Sequence, residues 1–497
     1  MVDAAEEVAD EPLVLVSNRG PVEFVRDGEE RTAKPGHGGL VTALGGLAGH
    51  LHDAVWVCAA LGDEDVAVAR EHPGSAIEYE GGAPGLRLRM VELEPEAQRK
   101  YYAVIANPLL WFVQHYLWDL PNSPDVTHLE VEAFENGYVP VNACLADAVA
   151  EEVEARGGRA TVLVQDYHLY ALPERVRSRC PEAFLQHFVH IPWPHPDAWR
   201  VLPPVMRRAV FDGILGNDIV AFHSRRSARN FLLGCEELLG LGVDRGDHAV
   251  EVGDRTVRAR WYPISVDPGE LEAKAASPKV ADHERALAGR RRRHLVVRAD
   301  RADPSKNIPR GFKAFDVMLD DHPELAKQVT FLALVQRSRE DVAQYVEHLE
   351  VIRRTVDEVN RKHGTDGWQP IELNLEGDFD EVVAAYKSFD VIVVNAISDG
   401  MNLVAKEAAV VNQRGGVLAL SENAGAHEEL GQFAVTLHPF DIQQQADAMF
   451  AALTMGAEER RDRLRAAAEV VRANDVAKWL RDQLDDVGRL RESSRSS

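Results

Sequence analysis

Asp399-Gly-Met-Asn-Leu-Val-Ala-Lys-Glu407 follows the apolar run Val391–Val394, and its residue types suit an anion site. A strand, a Gly-containing turn and a helix start would present the amides of Met401, Asn402 and Leu403 to a negative group, which the helix dipole also favours. Glu407, farther along that helix, can accept both hydroxyls of a ribose. Arg301-Ala-Asp-Pro-Ser-Lys306 leaves a second apolar run, Leu295–Val297, and sets two cations five positions apart. A planar Arg fork and a point-charge Lys can clamp a diphosphate. Each segment has a plain reading by itself, a capped helix with a buried Glu or two solvated cations. Together they point to a nucleotide-diphosphate site.

The first half carries a different set. Val14-Leu-Val-Ser17-Asn18-Arg19-Gly-Pro is followed by Gly36-His-Gly38-Gly39-Leu40, where a Gly-Gly turn entering a helix allows close backbone approach to a phosphate. This is not Gly-x-Gly-x-x-Gly and no acidic residue completes a dinucleotide fingerprint, which argues against a dehydrogenase. Gln165-Asp166-Tyr-His168 and His190-Ile-Pro each place polar groups at a strand end, where they can face a sugar. His187, His190 and His195 are separated by rigid Pro192 and Pro194, and no carboxylate or Cys spacing joins them. No metal is expected. Tyr101, Tyr102 and Trp111, at helical spacing, read by themselves as core.

These segments need a frame that brings strand ends together. Short apolar runs recur at Leu13–Val16, Val162–Val164, Phe188–Ile191, Ile219–Phe222, Leu295–Val297, Phe331–Val335, Val391–Val394 and Val417–Leu420, with amphipathic stretches such as Ala143–Ala155, Val205–Asp212 and Val342–Asn360 among them. Such alternation predicts an α/β protein with parallel sheets covered on both faces, and ligands bind at the carboxyl ends of such strands. A chain of 497 residues suggests two large domains, with the break in Tyr262–Pro278. Residues 1 to about 10 and 491 to 497 read as frayed tails. Ala457–Leu490 is either a solvated surface helix or a segment crossing back to the first domain.

Composition limits the function classes. The formal charge is −24 and the pI about 5.3, so no global positive field attracts nucleic acid or an anionic membrane. Small phosphorylated substrates need only a few local cations. No apolar stretch reaches the length of a spanning helix, and the acidic start, Met1 to Glu11, is unlike a signal peptide. Cys58, Cys144, Cys180 and Cys235 are scattered without metal or disulfide spacing, which fits a reducing cytoplasm.

With the motifs side by side, the chain resembles the retaining trehalose-6-phosphate synthase family almost end to end. The resemblance is carried by Ser17-Asn18-Arg19, Gly38-Gly39-Leu40, Tyr101-Tyr102 through Trp111, Gln165-Asp166, His190-Ile-Pro, Arg301 to Lys306, Ser338-Arg339, Asp399 to Glu407 and Asn474 to Trp479. It implies a GT-B fold of two facing Rossmann-like domains. These would be an acceptor domain over 1–265, a donor domain over 266–460 and a terminal helix over 461–497 crossing back. It further implies a donor nucleotide held by Arg301, Lys306, Asp399, Met401, Asn402, Leu403 and Glu407, with Gly38 and Gly39 assisting. The acceptor phosphate would be held by Arg19, Tyr102, Trp111 and Arg339. Asp166, His190, Arg301 and Lys306 would serve catalysis, without cofactor or metal. The leaving phosphate itself would guide and deprotonate the incoming group on the same face.

Departures from the family pattern surround the reacting groups. Ala59 stands where the family has an aromatic, His223 where it has Gln, Asn307 where it has Gly and Ser398 where it has Arg. This pattern resembles the pseudoglycosyltransferase branch, the validoxylamine A 7'-phosphate synthases of validamycin biosynthesis. It implies a GDP-linked cyclitol, GDP-valienol, joined through nitrogen and with retention to a phosphorylated aminocyclitol, validamine 7-phosphate. Two alternatives stand beside it. One is a trehalose-6-phosphate synthase using UDP- or GDP-glucose with glucose 6-phosphate. The other is a catalytically inactive relative, against which Arg301, Lys306 and Glu407 argue. Formation of a homo-oligomer stays open.

Overall fold

The structure is a computed structural model that describes residues 12–28, 30–35, 53–79, 82, 85–340 and 342–495. The acidic start and the Gly36–Leu40 turn, with Gly38 and Gly39, lie outside the described residues. The chain divides into two units, one running to Tyr262 and resuming at Ala477, the other spanning Pro263–Val476.

In the first unit, continuous runs of Val, Leu, Ile and Phe form strands because both faces of a parallel sheet are covered. β1 (Leu13–Ser17), β4 (Ala54–Ala59), β6 (Thr161–Gln165), β7 (Phe184–Phe188) and β8 (Ile219–Phe222) are buried along their whole length. With β5 (Leu86–Val91), β9 (Val243–Asp244), β10 (Ala249–Val252) and β11 (Arg255–Trp261) they make one sheet in the order β5-β4-β1-β6-β7-β8-β11-β10-β9. β2 (Val22–Asp27) and β3 (Glu30–Pro35) pair separately as a hairpin. The chain runs outward from β1 through β4 to β5, then returns to β6 on the other side of β1. This reversal opens a crevice at the carboxyl ends of β1 and β6. Between β5 and β6, Lys100–Trp111 winds as a π-helix containing Pro108. A proline supplies no N–H and clashes with the carbonyl four residues back, so a wider winding accommodates it.

The second unit is an all-parallel sheet. Its strands are β12 (His294–Arg301), β13 (Val329–Gln336), β14 (Ile371–Asn374), β15 (Val391–Val394), β16 (Val417–Ser421) and β17 (Val435–Leu437), ordered β14-β13-β12-β15-β16-β17. Its core includes Val296, Phe312, Phe315, Phe331, Val393 and Met449. The strand order reverses between β12 and β15, so the ligand crevice falls where Arg301–Lys306 and Ile397–Asn402 leave the sheet.

The terminal region is two helices. Ala457–Ala473 stays on the second unit, with Arg460 Nε donating to the Gly415 carbonyl at 2.8 Å. Val476–Arg495 packs on the first, where Gln186 donates to Gln483 at 2.7 Å and Tyr262 to Asp486 at 2.6 Å. Among the described residues no helix is long and apolar enough to cross a membrane.

Candidate active site

After β12 the chain turns through Pro304–Lys306 into Asn307 at φ 57°. Lys306 Nζ lies 2.6 Å from Asp399 Oδ2, with the two side chains only 18% and 15% exposed. Asn402 Nδ2 reaches the same carboxylate oxygen at 3.1 Å. Burial opposes the Lys306 charge, but Asp399 and Asp300 outweigh it and hold its pKa above the ordinary lysine value. Arg301 donates to Asp303 Oδ2 at 2.6 Å, and its own side chain is half exposed. The sequence-predicted cations are therefore brought to one strand end, each on a carboxylate.

The Leu403–Val411 helix starts behind this pair. Asn402 enters it at φ 74° and no side chain caps it, so first-turn amides are left for an anion. Met401 is buried beneath the turn. Glu407 accepts a hydrogen bond from the Tyr386 hydroxyl at 3.1 Å, and burial pushes its pKa up to about 7.

Sequence reasoning missed what supports this site. Arg298 is fully buried in β12 and donates to Asp300 Oδ2 at 2.8 Å and to the Lys306 carbonyl at 3.0 Å. It ties the strand to the Lys306 turn. A Cβ on Gly311 would lie 2.9 Å from its guanidinium, so that helix position needs glycine. The available signal was one arginine inside an otherwise buried strand pattern. Tyr345 was also missed. It accepts a hydrogen bond from Arg339, whose guanidinium lies 5.1 Å from the Tyr345 ring. Arg339 belongs to the second unit and acts electrostatically on Asp303 beside Arg301. Arg19, Tyr102 and Trp111, with which the resemblance grouped it, belong to the first.

In the first unit, Arg19 is exposed just past β1 and has no ionic partner among the described residues. Tyr101 is buried and donates to Asn18 at 3.1 Å. Tyr102 stacks on His168 with ring centres 6.0 Å apart, while Trp111 is 3% exposed and packs against His115. Asp166 follows β6 at φ 71° and accepts the His190 backbone N–H at 3.2 Å. His190 places Nε2 2.9 Å from Gln165 Oε1 and Nδ1 3.2 Å from His223 Nε2. Burial, then His223 and His187, depress its pKa well below the usual histidine value. His187 turns instead to the Asp166 carbonyl at 2.9 Å, and His195 to the Asp197 amide. Among the described residues, only Asp316, Asp320 and His363 converge with metal-ligand spacing. The Lys362 ammonium already bonds both of those aspartates.

Backbone strain marks the same places. Seven non-glycine residues among those described have positive φ, and Asp166, Asn307, Arg339 and Asn402 are four of them. Each such conformation costs on the order of 1–3 kcal/mol and persists where surrounding structure enforces it.

The departures take on local roles. Asn307 occupies a left-handed conformation that glycine adopts easily and asparagine tolerates. Its buried amide donates to the Asn395 and Pro439 carbonyls at 2.9 and 2.6 Å. The change at Asn307 thus has a backbone reason, and it drops out of the substrate argument. Ala59 and Ser398 are buried, at 2% and 5% exposure.

Residues 11–489 match glycosyltransferase family 20. The chain is similar to the trehalose-6-phosphate synthase of Mycolicibacterium vanbaalenii, with 36% identity over 486 residues that span 95% of each protein. The chain belongs to glycosyltransferase family 20. Its GT-B fold matches an E. coli trehalose-6-phosphate structure bound with UDP-2-fluoro glucose, with a TM-score of 0.82, 26% identity and coverage of 96% and 99% of the two chains. It also matches an α,α-trehalose-phosphate synthase (UDP-forming) from Burkholderia xenovorans in complex with glucose-6-phosphate, with a TM-score of 0.80, 26% identity and coverage of 95% and 99%. The family 20 chain is a nucleotide-sugar transferase. The narrower likeness to the pseudoglycosyltransferase branch has no counterpart among these relatives, which carry trehalose-phosphate names.

Proposed function

We propose that this family 20 enzyme transfers glucose, with retention, from a nucleoside diphosphate glucose to glucose 6-phosphate, forming trehalose 6-phosphate. One observation carries the donor half: Lys306, Asp399 and Asn402 in hydrogen-bonded line at an uncapped helix start, with Glu407 on that helix. A diphosphate entering there takes Lys306 from Asp399. The freed carboxylate then accepts hydroxyls of the transferred ring, while Glu407 accepts those of the ribose. Arg301 and Lys306 neutralise charge as the bond from the anomeric carbon to the phosphate oxygen breaks, with the electron pair leaving on the diphosphate. Such preorganised electrostatics lowers the barrier most where charge develops. The acceptor hydroxyl attacks from the same face and its proton passes to the leaving phosphate oxygen. Arg19, Tyr102, Trp111 and Arg339 are assigned to the acceptor phosphate and its ring. Asp166 and His190 are assigned to the reacting sugars.

The glucose pair is favoured because the relatives bear trehalose-phosphate names and because Asn307 answers to backbone geometry. Amine transfer from GDP-valienol to validamine 7-phosphate keeps one observation in its favour, the histidine at 223 beside His190. The test is kcat/KM for UDP- or GDP-glucose with glucose 6-phosphate against that for the cyclitol pair, since discrimination lies in this ratio. We expect the glucose pair to be turned over with the higher value. Turnover of the cyclitol pair alone would overturn the proposal.

A further inference from the structure

His223, just after β8, stands where family resemblance expects Gln, and it contacts two groups of unequal freedom. Its Nε2 is 3.2 Å from His190 Nδ1, and its Nδ1 is 3.4 Å from the Tyr262 carbonyl. The Tyr262 oxygen also accepts from Trp479 Nε1 at 3.1 Å, which holds it in place beside His223. A carbonyl only accepts, and a neutral imidazole has one donor nitrogen and one acceptor nitrogen.

The proton count follows. The line Gln165–His190–His223–Tyr262 has three contacts, and two neutral rings supply two protons. The fixed carbonyl claims the His223 proton at Nδ1, so His223 Nε2 can only accept. His190 must then donate from Nδ1, which leaves the lone pair on its Nε2. Gln165 meets this by turning its carboxamide to donate, and the turn breaks no other side-chain hydrogen bond among the described residues. Protonating the rings instead is opposed by the burial of His190 and by His187 near it. A glutamine at 223 would impose no such order, because its amide can donate or accept at will.

We infer that His223 is a positioning residue that holds His190 as the Nδ1–H tautomer, making His190 Nε2 an acceptor for a substrate hydroxyl. The role in catalysis rests on the assignment of His190 to a reacting sugar; the tautomer does not. On this view the hydroxyl replaces the Gln165 amide at Nε2, and the C-terminal helix takes part through Trp479, which shares the Tyr262 carbonyl.

The test is long-range proton–nitrogen NMR on the full chain labelled with ¹⁵N-histidine, with His190 signals assigned by their loss in His190→Phe. In the unsubstituted protein we expect a protonated, pyrrole-like Nδ1 and a bare, pyridine-like Nε2. In His223→Gln the two signals should move toward averaged values, and kcat should fall about tenfold, the size of one neutral hydrogen bond, with nucleotide affinity unchanged. A bare Nδ1 in the unsubstituted protein overturns the inference, as do His190 signals that ignore His223→Gln. If that variant fails to fold, the spectrum of the unsubstituted protein alone decides. A correct tautomer in an enzyme that makes no trehalose 6-phosphate would leave this inference standing and bring down the substrate assignment only.

Discussion

Replacing Lys306 with alanine separates what this lysine does for the fold from what it does for the donor. In the ligand-free chain its ammonium sits 2.6 Å from Asp399, and both side chains are more than four-fifths buried. Removing one partner of a fully buried pair costs about 3–5 kcal/mol, because the other charge is left uncompensated. Here Asp399 keeps the Asn402 amide and some exposure, so we expect about 2 kcal/mol of stability lost, below that range. The donor loses more than a contact. One charged hydrogen bond is worth about 1.5–3 kcal/mol, or roughly 10–150-fold in Kd, and the bare Asp399 carboxylate then repels the diphosphate as well. Adding Asp399→Asn to Lys306→Ala should therefore regain part of the lost affinity, because the carboxamide carries no negative charge. Calorimetric titration of the four proteins with UDP or GDP closes the cycle. A Kd for Lys306→Ala within threefold of the parent would refute the clamp. A double variant no tighter than Lys306→Ala would refute the pairing with Asp399.

Glu407 gives a pH-dependent signature. Burial raises its pKa to about 7, so the folded chain holds a proton between roughly pH 4.3 and 7 that the unfolded chain has lost. Its contribution to stability is therefore greatest at the acidic end of that window and declines as pH rises through 7. Ribose hydroxyls need the ionised form, so donor affinity should rise about tenfold from pH 6 to 8, and Glu407→Gln should flatten the profile; a flat profile in the parent would count against the ribose assignment. For Arg298→Met, which strands the buried Asp300 carboxylate, we expect about 3 kcal/mol of destabilisation in denaturant melts, partly relieved by adding Asp300→Asn. A loss under about 1 kcal/mol would show that Arg298 does not brace the Lys306 turn.

Much of the fold was legible because parallel strands covered on both faces are nearly continuous apolar runs, and Leu13–Val16, Val162–Val164 and Val391–Val394 fall within observed strands. The residues proposed for the donor were legible for a related reason: Arg301, Lys306 and Asp399 to Glu407 are local strings that follow strands. Groups that meet only through the fold were not. Tyr386 and Glu407 are 21 positions apart and Asp399 is 93 from Lys306, so their pairing is set by strand order. Arg298 was passed over because a charged residue inside a buried strand contradicts the apolar pattern used to find that strand. The terminal region read as one long helix because nothing in its Arg-, Glu- and Ala-rich composition shows that its two halves, divided near Asn474, belong to different units.

Strain and substitution in this chain are best judged by what each residue does to the backbone before what it offers a substrate. Asn307 departs from the family glycine, yet it keeps the left-handed turn and adds two buried hydrogen bonds. The turn it preserves is the one that carries Lys306, so the departure is compatible with the proposed donor site. Asp166 and Asn402 also hold positive φ without glycine, Asn402 in the left-handed region and Asp166 with an extended ψ of 171°. In Asp166 the strain is held by the Phe188 carbonyl on its N–H at 2.7 Å and by the His190 amide on its side chain. Those two partners belong to one segment, Phe188 to His190, and that segment also presents His190 to His223. The position of Asp166 and the hydrogen-bonding state of His190 therefore depend on a single strand end. A substitution that relaxes Asp166 will move His190 with it, even where the altered side chain touches neither sugar.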